Sequence, residues 1–356
     1  MNIIITAPSL DTQHNVSGIS SVANFIIESN SNNKYIHFKI GKRDDEKRNV
    51  NWFIGFINLY FRWIYLMIVS KNVLVHFNFA IDKFSILRDA PLILIAKLFR
   101  KRMIYHLHGG EFSLEKKLPL WMKCILKIIL SGKNPKIVLS PLDRDFIRSQ
   151  FNCDRIFILS NCVSLDEASN FNRVISKYEK PVLLFMGRIT LNKGIEYIFR
   201  ALESLKNQQQ DFKFILAGKG PEMNRYVKKF SDLLGVNFTY TGVVSGVRKT
   251  KLLMSCNVFL LPSFFEGLPI SLLESMSFGM VPITTNVGSI KYLIKNNTNG
   301  IIVNKFSSED IVNAIKRISL DREFTQKLST NAKEYIFDNY SPTKYIDRLN
   351  EIYNYN

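Results

Sequence analysis

Short apolar runs and helix-like stretches alternate along the whole chain. The apolar runs lack polar alternation, which is typical of parallel strands covered on both faces. The strand candidates are Asn2–Thr6, Val73–His76, Met103–Leu107, Ile137–Leu139, Ile156–Leu159, Val182–Met186, Lys213–Ala217, Asn237–Tyr240, Val258–Leu261, Val281–Thr284 and Gly300–Val303. Strands separated by helical patterns predict an α/β fold with doubly wound parallel sheets.

The alternation restarts near residue 181, after a polar segment over residues 164–180 that we interpret as a linker. We therefore predict two Rossmann-like domains, residues 1–170 and residues 171–335, facing each other across a cleft. A last helical segment, residues 336–356, is expected to pack back toward the first domain. Ligands of open parallel sheets bind beyond the carboxyl ends of the strands, so functional residues are expected in the loops that follow them.

Basic residues outnumber acidic ones by 48 to 30 over 356 residues, which gives a net charge of +18. Such a surface attracts nucleic acid, anionic lipid or phosphorylated substrates. The excess is spread over the chain, with 24 basic and 14 acidic residues in residues 1–175, so no basic arm for nucleic acid is indicated. Four scattered cysteines without C-x-x-C spacing indicate a reducing compartment, and neither a disulfide framework nor a zinc site.

The longest apolar stretch, Trp52–Val69, is long enough to span a bilayer but contains Asn58 and Arg62. A charge near the centre of a span is costly, so we predict a buried or surface-lying helix. The first residues lack a basic segment before their apolar run, and no signal peptide is expected.

The most informative segment is PSFFEGLPISLLE, which follows a predicted strand. A helix is predicted to begin near Pro269 and to stop at Gly279, so residues 263–268 would present backbone N–H groups to a phosphate. Glu266 and Glu274, eight positions apart, would flank that helix end. Carboxylates repel phosphate but accept hydrogen bonds from sugar hydroxyls, so a nucleotide sugar suits the arrangement. The alternative is one glutamate favouring the helix dipole and a second on a solvated face.

Two further loops follow predicted strands. In GRITLNKG, Gly187 allows a sharp turn, and Arg188 and Lys193 could clamp a diphosphate. In LAGKGPE, Gly218 suits a tight turn beneath a nucleotide, although the third glycine of a dinucleotide fingerprint is missing. Neither loop is specific by itself, since basic loops after strands are common.

The motifs GRITLNKG, LAGKGPE, YTGVV and PSFFEGLPISLLE, in this order and spacing, resemble the donor domain of GT-B glycosyltransferases, in particular the retaining enzymes of glycosyltransferase family 4. The resemblance covers essentially the whole chain and is strongest over residues 181–303. It implies transfer of a sugar from a nucleotide diphosphate sugar, with UDP expected, to a saccharide or lipid-linked saccharide. The implied setting is the synthesis of a bacterial capsule, O-antigen or exopolysaccharide, by a hexosyl- or N-acetylhexosaminyltransferase.

The resemblance also implies roles for residues. Arg188 and Lys193 would bind the donor diphosphate and stabilise the leaving nucleotide. Glu274 would hold the ribose hydroxyls, and Glu266 would face the transferred sugar. The remaining implied donor-binding residues lie in the same motifs. Gly187 and Gly218 form turns after their strands, and the backbone of Val243 and Val244 would lie near the base. Ser263 would lie near the phosphates, and the amides of Gly267 and Leu268 would assist Glu266.

The amino-terminal half matches the family less closely. Gly18 is expected to approach the donor phosphate, although Ser17 stands where a first glycine is usual. His108, in the loop after a predicted strand, would face the reacting centre and is the fourth predicted catalytic residue, with Glu266, Arg188 and Lys193. His106 is interpreted as a core residue within that strand.

No metal or cofactor is expected. Asp143 and Asp145 have the D-x-D spacing of metal-binding glycosyltransferases, but they follow Ser140 and Pro141, a helix start at which acidic residues are favourable. We expect the basic pair Arg188 and Lys193 to neutralise the diphosphate in place of a metal. The nucleotide sugar is a co-substrate. The resemblance implies same-face substitution, in which the leaving phosphate assists deprotonation of the acceptor.

Lys116, Lys123 and Lys127 lie at helical spacing in a segment whose apolar residues include Trp121 and Ile128. A basic amphipathic helix can lie on an anionic membrane, and a core helix with a lysine edge is the equal alternative. We predict a cytoplasmic protein attached to the inner face of the bacterial plasma membrane.

Two other functions stay open: a nucleotide-sugar epimerase of GT-B fold, and a non-catalytic basic membrane-binding protein.

Overall fold

The computed structural model describes residues 1–11, 17–41, 50–109, 118–175 and 180–355. The chain divides into two compact units. Unit 1 consists of residues 1–161 and 343–356, and unit 2 of residues 162–342. Unit 1 is therefore built from two separate stretches of chain, whereas unit 2 is continuous.

Unit 1 is centred on a parallel sheet of six strands. The strands are β1 Asn2–Ala7, β2 Lys34–Lys39, β3 Val73–Phe79, β4 Arg102–Leu107, β5 Lys136–Val138 and β6 Ile156–Ile158. Their spatial order is β2-β1-β3-β4-β5-β6, so the direction of winding reverses between β1 and β3. All seven residues of β3 are buried, as expected for a central strand covered on both faces.

Helices cover this sheet: α1 Gly18–Ser29, α2 Val50–Val69, α3 Lys83–Leu98, α4 Leu120–Leu130, α5 Pro141–Phe151 and the last helix of the chain, Pro342–Asn354. Asp82 caps α3 by accepting from the backbone N–H groups of Phe84 and Ser85 at 3.1 and 2.9 Å. Trp63 of α2 is fully buried and donates to the Leu92 carbonyl at 2.8 Å, which ties α2 to α3. Among the described residues, no helix is long and apolar enough to cross a membrane.

Unit 2 repeats the architecture with six more parallel strands. They are β7 Val182–Met186, β8 Lys213–Ala217, β9 Phe238–Gly242, β10 Val258–Leu261, β11 Val281–Thr285 and β12 Ile301–Val303. Their order is β12-β11-β10-β7-β8-β9, so β7 and β10 are neighbours and the winding reverses between them. Ligands of such sheets bind beyond the carboxyl ends of the strands at this reversal, beside the loops after β7 and β10.

The helices of unit 2 complete the alternation: α6 Asp166–Ser169, α7 Ile195–Asn207, α8 Met223–Leu234, α9 Gly246–Ser255, α10 Ile270–Ser277, α11 Ile290–Leu293, α12 Ser308–Leu320 and α13 Arg322–Asn339. The last helix of the chain, Pro342–Asn354, is α14 and belongs to unit 1 from Thr343 onward. Helices α12, α13 and α14 cover most of residues 308–354.

The structure departs from the expected elements in three places. Strand β2 was not predicted, because its residues alternate between exposed and partly buried at the edge of the sheet. The segment expected to be a linker packs onto unit 2, since the Arg173 guanidinium donates to the Phe278 and Leu253 carbonyls at 3.0 and 2.6 Å. The last helix begins at Pro342 and not at residue 336, because α13 continues to Asn339.

Candidate functional site

The loops after β7 and β10 meet at the point where the winding of unit 2 reverses. Gly194 closes the first loop with φ +76°, and a Cβ there would lie 2.2 Å from the Pro262 carbonyl oxygen of the second. The Phe264 backbone N–H also donates to the Asn192 carbonyl at 2.9 Å. Only glycine permits this approach, so the two loops are locked together as one surface.

Lys193 and Glu266 form an ion pair across this junction. The Lys193 ammonium lies 2.5 and 2.6 Å from the two carboxylate oxygens of Glu266. The Ser263 hydroxyl donates to the same carboxylate at 2.7 Å, and the Thr285 hydroxyl donates to the Ser263 carbonyl. Glu266 is only 5% exposed, so this buried charge is compensated by one cation and one hydroxyl. The structure thus brings Lys193, Ser263 and Glu266 together at this junction.

The backbone after Glu266 is held equally firmly. A Cβ at Gly288, whose φ is +52°, would lie 1.7 Å from the Glu266 carbonyl oxygen, and the Ser289 N–H donates to the Gly267 carbonyl at 3.1 Å. Leu268 is buried, and α10 follows. Pro269 is the N-cap residue of α10, and the first helical residue is Ile270.

The turn after β8 supports the loop after β7 from the other side. A Cβ at Gly218 would lie 1.9 Å from the Gly187 carbonyl oxygen, and one at Gly220 would lie 2.3 Å from the Ile189 carbonyl oxygen. Backbone hydrogen bonds join the same turns, including Ile189 N–H to the Lys219 carbonyl at 3.0 Å. The glycines of LAGKGPE therefore allow close backbone contact with the loop after β7. That loop carries the exposed side chain of Arg188.

Glu274 lies in α10 and has a cationic partner that sequence reasoning missed. The Lys249 ammonium, from α9, lies 2.6 Å from Glu274 Oε1. Val243 and Val244, half-buried, follow β9 in the loop that leads to α9. The sequence signal for Lys249 was a lysine one turn into a helix that follows YTGVV, a signal too common to single it out.

In unit 1, His108 follows β4 and is half-buried. Its Nε2 lies 2.7 Å from the side-chain oxygen of Asn78. The Asn78 side-chain N–H donates in turn to the Thr6 carbonyl at 2.9 Å, and the Asn78 backbone N–H donates to the Thr6 hydroxyl at 3.0 Å. Thr6, Asn78 and His108 come from β1, β3 and the end of β4, so they gather beside the winding reversal of this sheet.

Two more histidines extend the cluster into the core. His76 Nε2 lies 3.1 Å from His106 Nδ1, and His76 Nδ1 lies 2.7 Å from the Tyr353 hydroxyl of α14. The His106 and His108 rings stack with centroids 4.1 Å apart. Burial lowers the pKa of His76 and of His108 to about 3, and it lowers the pKa of His106 well below its usual range, helped by the other two rings. The interpretation of His106 as a core residue agrees with its complete burial.

Gly18 begins α1, and Ser17 stands at its cap position. Gly18 is exposed, and a Cβ there would meet no atom of the described residues within 4 Å, so none of them requires glycine at this position. Residues 12–16 of the preceding loop and Lys116 lie outside the described residues. The expected approach of this loop to a phosphate stays a prediction.

Asp143 and Asp145 have local partners. Asp143 accepts from the Ser140 hydroxyl at 2.6 Å, and Asp145 pairs with Arg144 at 2.9 Å. Across the described ranges, no group of three or more His, Cys, Asp or Glu side chains is close enough together to hold a metal ion. The D-x-D spacing therefore has a sufficient explanation in the start of α5.

Residues 166–335 match the family model described as "Glycosyl transferases group 1". The matched segment lies entirely within unit 2. An uncharacterised glycosyltransferase of Methanocaldococcus jannaschii is 32% identical over 182 residues, which cover 50% of this chain and 46% of that protein. The Campylobacter jejuni enzyme named GalNAc-α-(1→4)-GalNAc-α-(1→3)-diNAcBac-PP-undecaprenol α-1,4-N-acetyl-D-galactosaminyltransferase is 31% identical over 190 residues, covering 51% and 49%. The chain thus spans about half the length of these curated relatives.

The similarity in structure extends further than the similarity in sequence. Anabaena HepE, solved in complex with UDP-glucose, superposes with a TM-score of 0.74 at 15% identity and covers 99% of this chain and 98% of that one. Both parallel sheets and their helices therefore belong to the GT-B fold, as the sequence predicted. At this identity the likeness establishes the fold alone.

Proposed function

We propose, from the premise that residues 166–335 form a group 1 glycosyl transferase domain, that this protein is a glycosyltransferase that uses a nucleotide diphosphate sugar. We further propose a UDP-linked donor, a retaining outcome, and a saccharide or lipid-linked saccharide acceptor in bacterial surface polysaccharide synthesis. The observation that carries the proposal is the Lys193–Glu266 ion pair at the winding reversal of unit 2. A cation and a carboxylate on rigid neighbouring loops suit a ligand that combines phosphate with sugar hydroxyls.

The charges of the site assign the two ends of the donor. Lys193 has three N–H donors and is 28% exposed, so it can bind a phosphate oxygen while it holds Glu266. The exposed Arg188, five residues earlier in the same loop, would supply the second cation of the diphosphate clamp. Together they would stabilise the charge that develops as the nucleotide diphosphate leaves.

The two glutamates would read the sugars. Glu274 can accept from ribose hydroxyls as well as from Lys249, because a carboxylate offers several lone pairs. Glu266, with the Gly267 and Leu268 amides beside it, would bind hydroxyls of the transferred sugar. We assign no covalent role to Glu266. Same-face substitution, in which the leaving phosphate takes the acceptor proton, requires no such nucleophile.

The acceptor proposal has support from relatives and from the surface of unit 1. The Campylobacter jejuni relative bears the name of a transferase acting on an undecaprenol-linked saccharide. On α4, Leu120, Trp121 and Ile128 are 82%, 39% and 55% exposed, beside the exposed Lys123 and Lys127. Exposed apolar and basic side chains on one helix suit the surface of an anionic membrane. We therefore propose peripheral attachment at the inner face of the plasma membrane.

Donor binding is tested by thermal unfolding in the presence of UDP, GDP and their sugars. A ligand at a concentration 100 times its Kd stabilises the folded state by about 2.7 kcal/mol, so the correct nucleotide will raise Tm measurably. Lys193→Ala is expected to abolish the shift. Lys180→Ala is the matched control. Lys180 lies outside the site, and its ammonium forms an exposed ion pair with Asp211 at 2.9 Å. A shift that survives Lys193→Ala unchanged would contradict the clamp.

The reaction class is tested by analysing the products of the stabilising nucleotide sugar by NMR. Transfer with the anomeric configuration of the donor retained is the expected result. An inverted configuration would overturn the same-face mechanism. An epimerised nucleotide sugar would favour the GT-B epimerase instead.

Membrane attachment is tested by flotation with liposomes of neutral and of anionic lipid. The expected result is recovery with anionic liposomes that is lost in the Lys123→Glu/Lys127→Glu variant. The control is Lys228→Glu/Lys251→Glu, which changes the charge equally on exposed lysines of unit 2. Equal recovery of all three proteins with both lipids would remove the electrostatic attachment.

A further inference from the structure

The hydrogen bonds around Asn78 fix its amide orientation. A carbonyl oxygen can only accept, so the Asn78 atom 2.9 Å from the Thr6 carbonyl must be the amide nitrogen. The Asn78 oxygen is therefore the atom that lies 2.7 Å from His108 Nε2. Asn78 is 1% exposed and Thr6 fully buried, so water cannot easily replace either partner.

This orientation determines the protonation of the His108 ring. The Asn78 oxygen cannot donate, so His108 Nε2 must carry the proton and donate to it. In a neutral imidazole the other nitrogen, Nδ1, then holds a lone pair. Burial and His76 lower the pKa of His108 to about 3, so the ring is neutral around pH 7.

The core histidines follow the same logic. Among the described residues, His106 Nε2 is buried without a hydrogen-bond partner. A buried unpaired N–H is costlier than an unpaired lone pair, so His106 Nδ1 is the nitrogen that donates to His76 Nε2. His76 Nδ1 then donates to the Tyr353 hydroxyl. All three rings are thus neutral, and each has one defined tautomer.

We propose that Asn78 is a positioning residue that holds His108 as its Nε2–H tautomer, so that His108 Nδ1 accepts a hydrogen bond from a hydroxyl of the saccharide ligand. A neutral acceptor recognises a hydroxyl and gives no electrostatic help to a phosphate. The ligand part of this inference rests on the proposed glycosyltransferase function. The tautomer part does not, because it follows from the contacts within unit 1.

The tautomer is measured by ¹⁵N NMR of the full chain labelled at histidine. The His108 signals are assigned by their loss in His108→Gln. In the parent protein at pH 7 we expect the nitrogen shifts and proton couplings of the Nε2–H form, without titration between pH 5 and 8. An Nδ1–H form, or an imidazolium, would overturn the proposal without any variant.

Asn78→Ala is expected to leave His108 exchanging between both tautomers. The control is Asn299→Ala, because Asn299 is 2% exposed and its amide likewise bonds backbone groups, at 2.8 and 3.0 Å, but in unit 2. It should leave the His108 signals unchanged. Asn78→Asp provides a second variant, since a carboxylate beside Nε2–H favours the charged ring and should bring its titration into the range above pH 5. A His108 tautomer unaffected by both Asn78 variants would overturn the role of Asn78.

The ligand part is measured separately. Asn78→Ala should lower kcat for transfer about tenfold, the effect of losing roughly 1.4 kcal/mol, while the nucleotide-induced rise in Tm is kept. An unchanged kcat, with the tautomer altered, would refute the hydroxyl contact. If no nucleotide sugar is used at all, the proposed function fails, and the NMR result still decides the positioning role.

Discussion

The two sheets place chemically different side chains at equivalent positions. Both units reverse their winding beside the strand that begins the sheet, β1 in unit 1 and β7 in unit 2. At the reversal in unit 2 lies the Lys193–Glu266 ion pair, and the Lys249–Glu274 ion pair joins the neighbouring helices α9 and α10. At the reversal in unit 1 stands a hydrogen-bonded set of uncharged side chains that centres on Asn78 and His108.

This difference indicates a division of labour. Charged groups on rigid loops suit the diphosphate of a donor, where charge changes during the reaction. Neutral groups with fixed donors and acceptors suit hydroxyl groups, which are read by geometry. The predictions below test whether the charged set of unit 2 and the uncharged set of unit 1 can be perturbed separately.

The largest effect is expected for Glu266→Gln. The amide removes the charge that holds Lys193 and that we propose faces the transferred sugar, and transfer should fall about 100- to 1000-fold, as for the loss of a group that stabilises a transition state. Glu196→Gln is the control, since Glu196 pairs with Arg200 on α7 at 2.9 Å. Steady-state transfer rates check the result, and equal losses in both variants would contradict a specific role.

Next is Gly288→Ala. Both Gly288 and Gly235 have φ +52°, and a Cβ at Gly288 would strike the Glu266 backbone, whereas in the described part of the chain no atom lies within 4 Å of a Cβ at Gly235. The strained φ alone costs about 1–3 kcal/mol in either variant. We expect Gly288→Ala to lower the free energy of unfolding further and to lower transfer, and Gly235→Ala to affect stability only. Denaturant unfolding and transfer assays separate the two, and equal activity in both would refute the locked loop.

The pH dependence should be confined largely to unit 1. Between pH 3 and 6.5 the unfolded chain binds more protons than the folded one, because burial lowers the pKa of His76 and of His108 to about 3. The free energy of unfolding should therefore fall as pH falls below about 6.5, by up to roughly 1.4 kcal/mol per pH unit for each histidine.

The tryptophans provide the measurement, since all three, at positions 52, 63 and 121, belong to unit 1. Tryptophan fluorescence during denaturant unfolding at pH 7 and pH 5 follows unit 1, and far-ultraviolet circular dichroism follows both units. His76→Gln should lower stability at pH 7 and reduce its loss toward pH 5. An unchanged slope in this variant would show that the histidine cluster does not cause the loss.

The smallest effect is expected for Lys249→Ala. A partly exposed ion pair contributes up to about 1 kcal/mol, so loss of Lys249 should raise KM for the donor no more than severalfold and leave kcat unchanged. Lys251→Ala, an exposed lysine of the same helix, is the control. A fall in kcat would place Lys249 closer to the departing phosphate than Glu274 is.

Hydrophobic patterning predicted most of the fold, because buried parallel strands are continuous apolar runs. It missed β2, where Lys34, His37 and Lys39 interrupt the apolar residues at the sheet edge. The criterion of uninterrupted runs excludes such strands by construction. The sequence of β2 does not alternate polar and apolar residues either, because Ile36 is exposed and His37 is partly buried.

The site was predictable where residue types reflect ligand chemistry and unpredictable where they reflect contacts. Glu266, Lys193 and Ser263 were found from their motifs, and the structure brings them together. The reason for glycine at position 288 is the Glu266 carbonyl, a contact distant in sequence. Asn78 could have been found from its spacing, because it is two positions after His76 and the two side chains therefore lie on the same face of β3.

Helix α14 has a consequence for biosynthesis. Leu349, Ile352 and Tyr353 are buried in unit 1, although the ribosome makes them after the whole of unit 2. Until α14 is synthesised, the amino-terminal sheet therefore lacks these buried side chains, and His76 lacks its tyrosine partner. Unit 2, although it follows most of unit 1 along the chain, has all of its residues synthesised before α14 is complete.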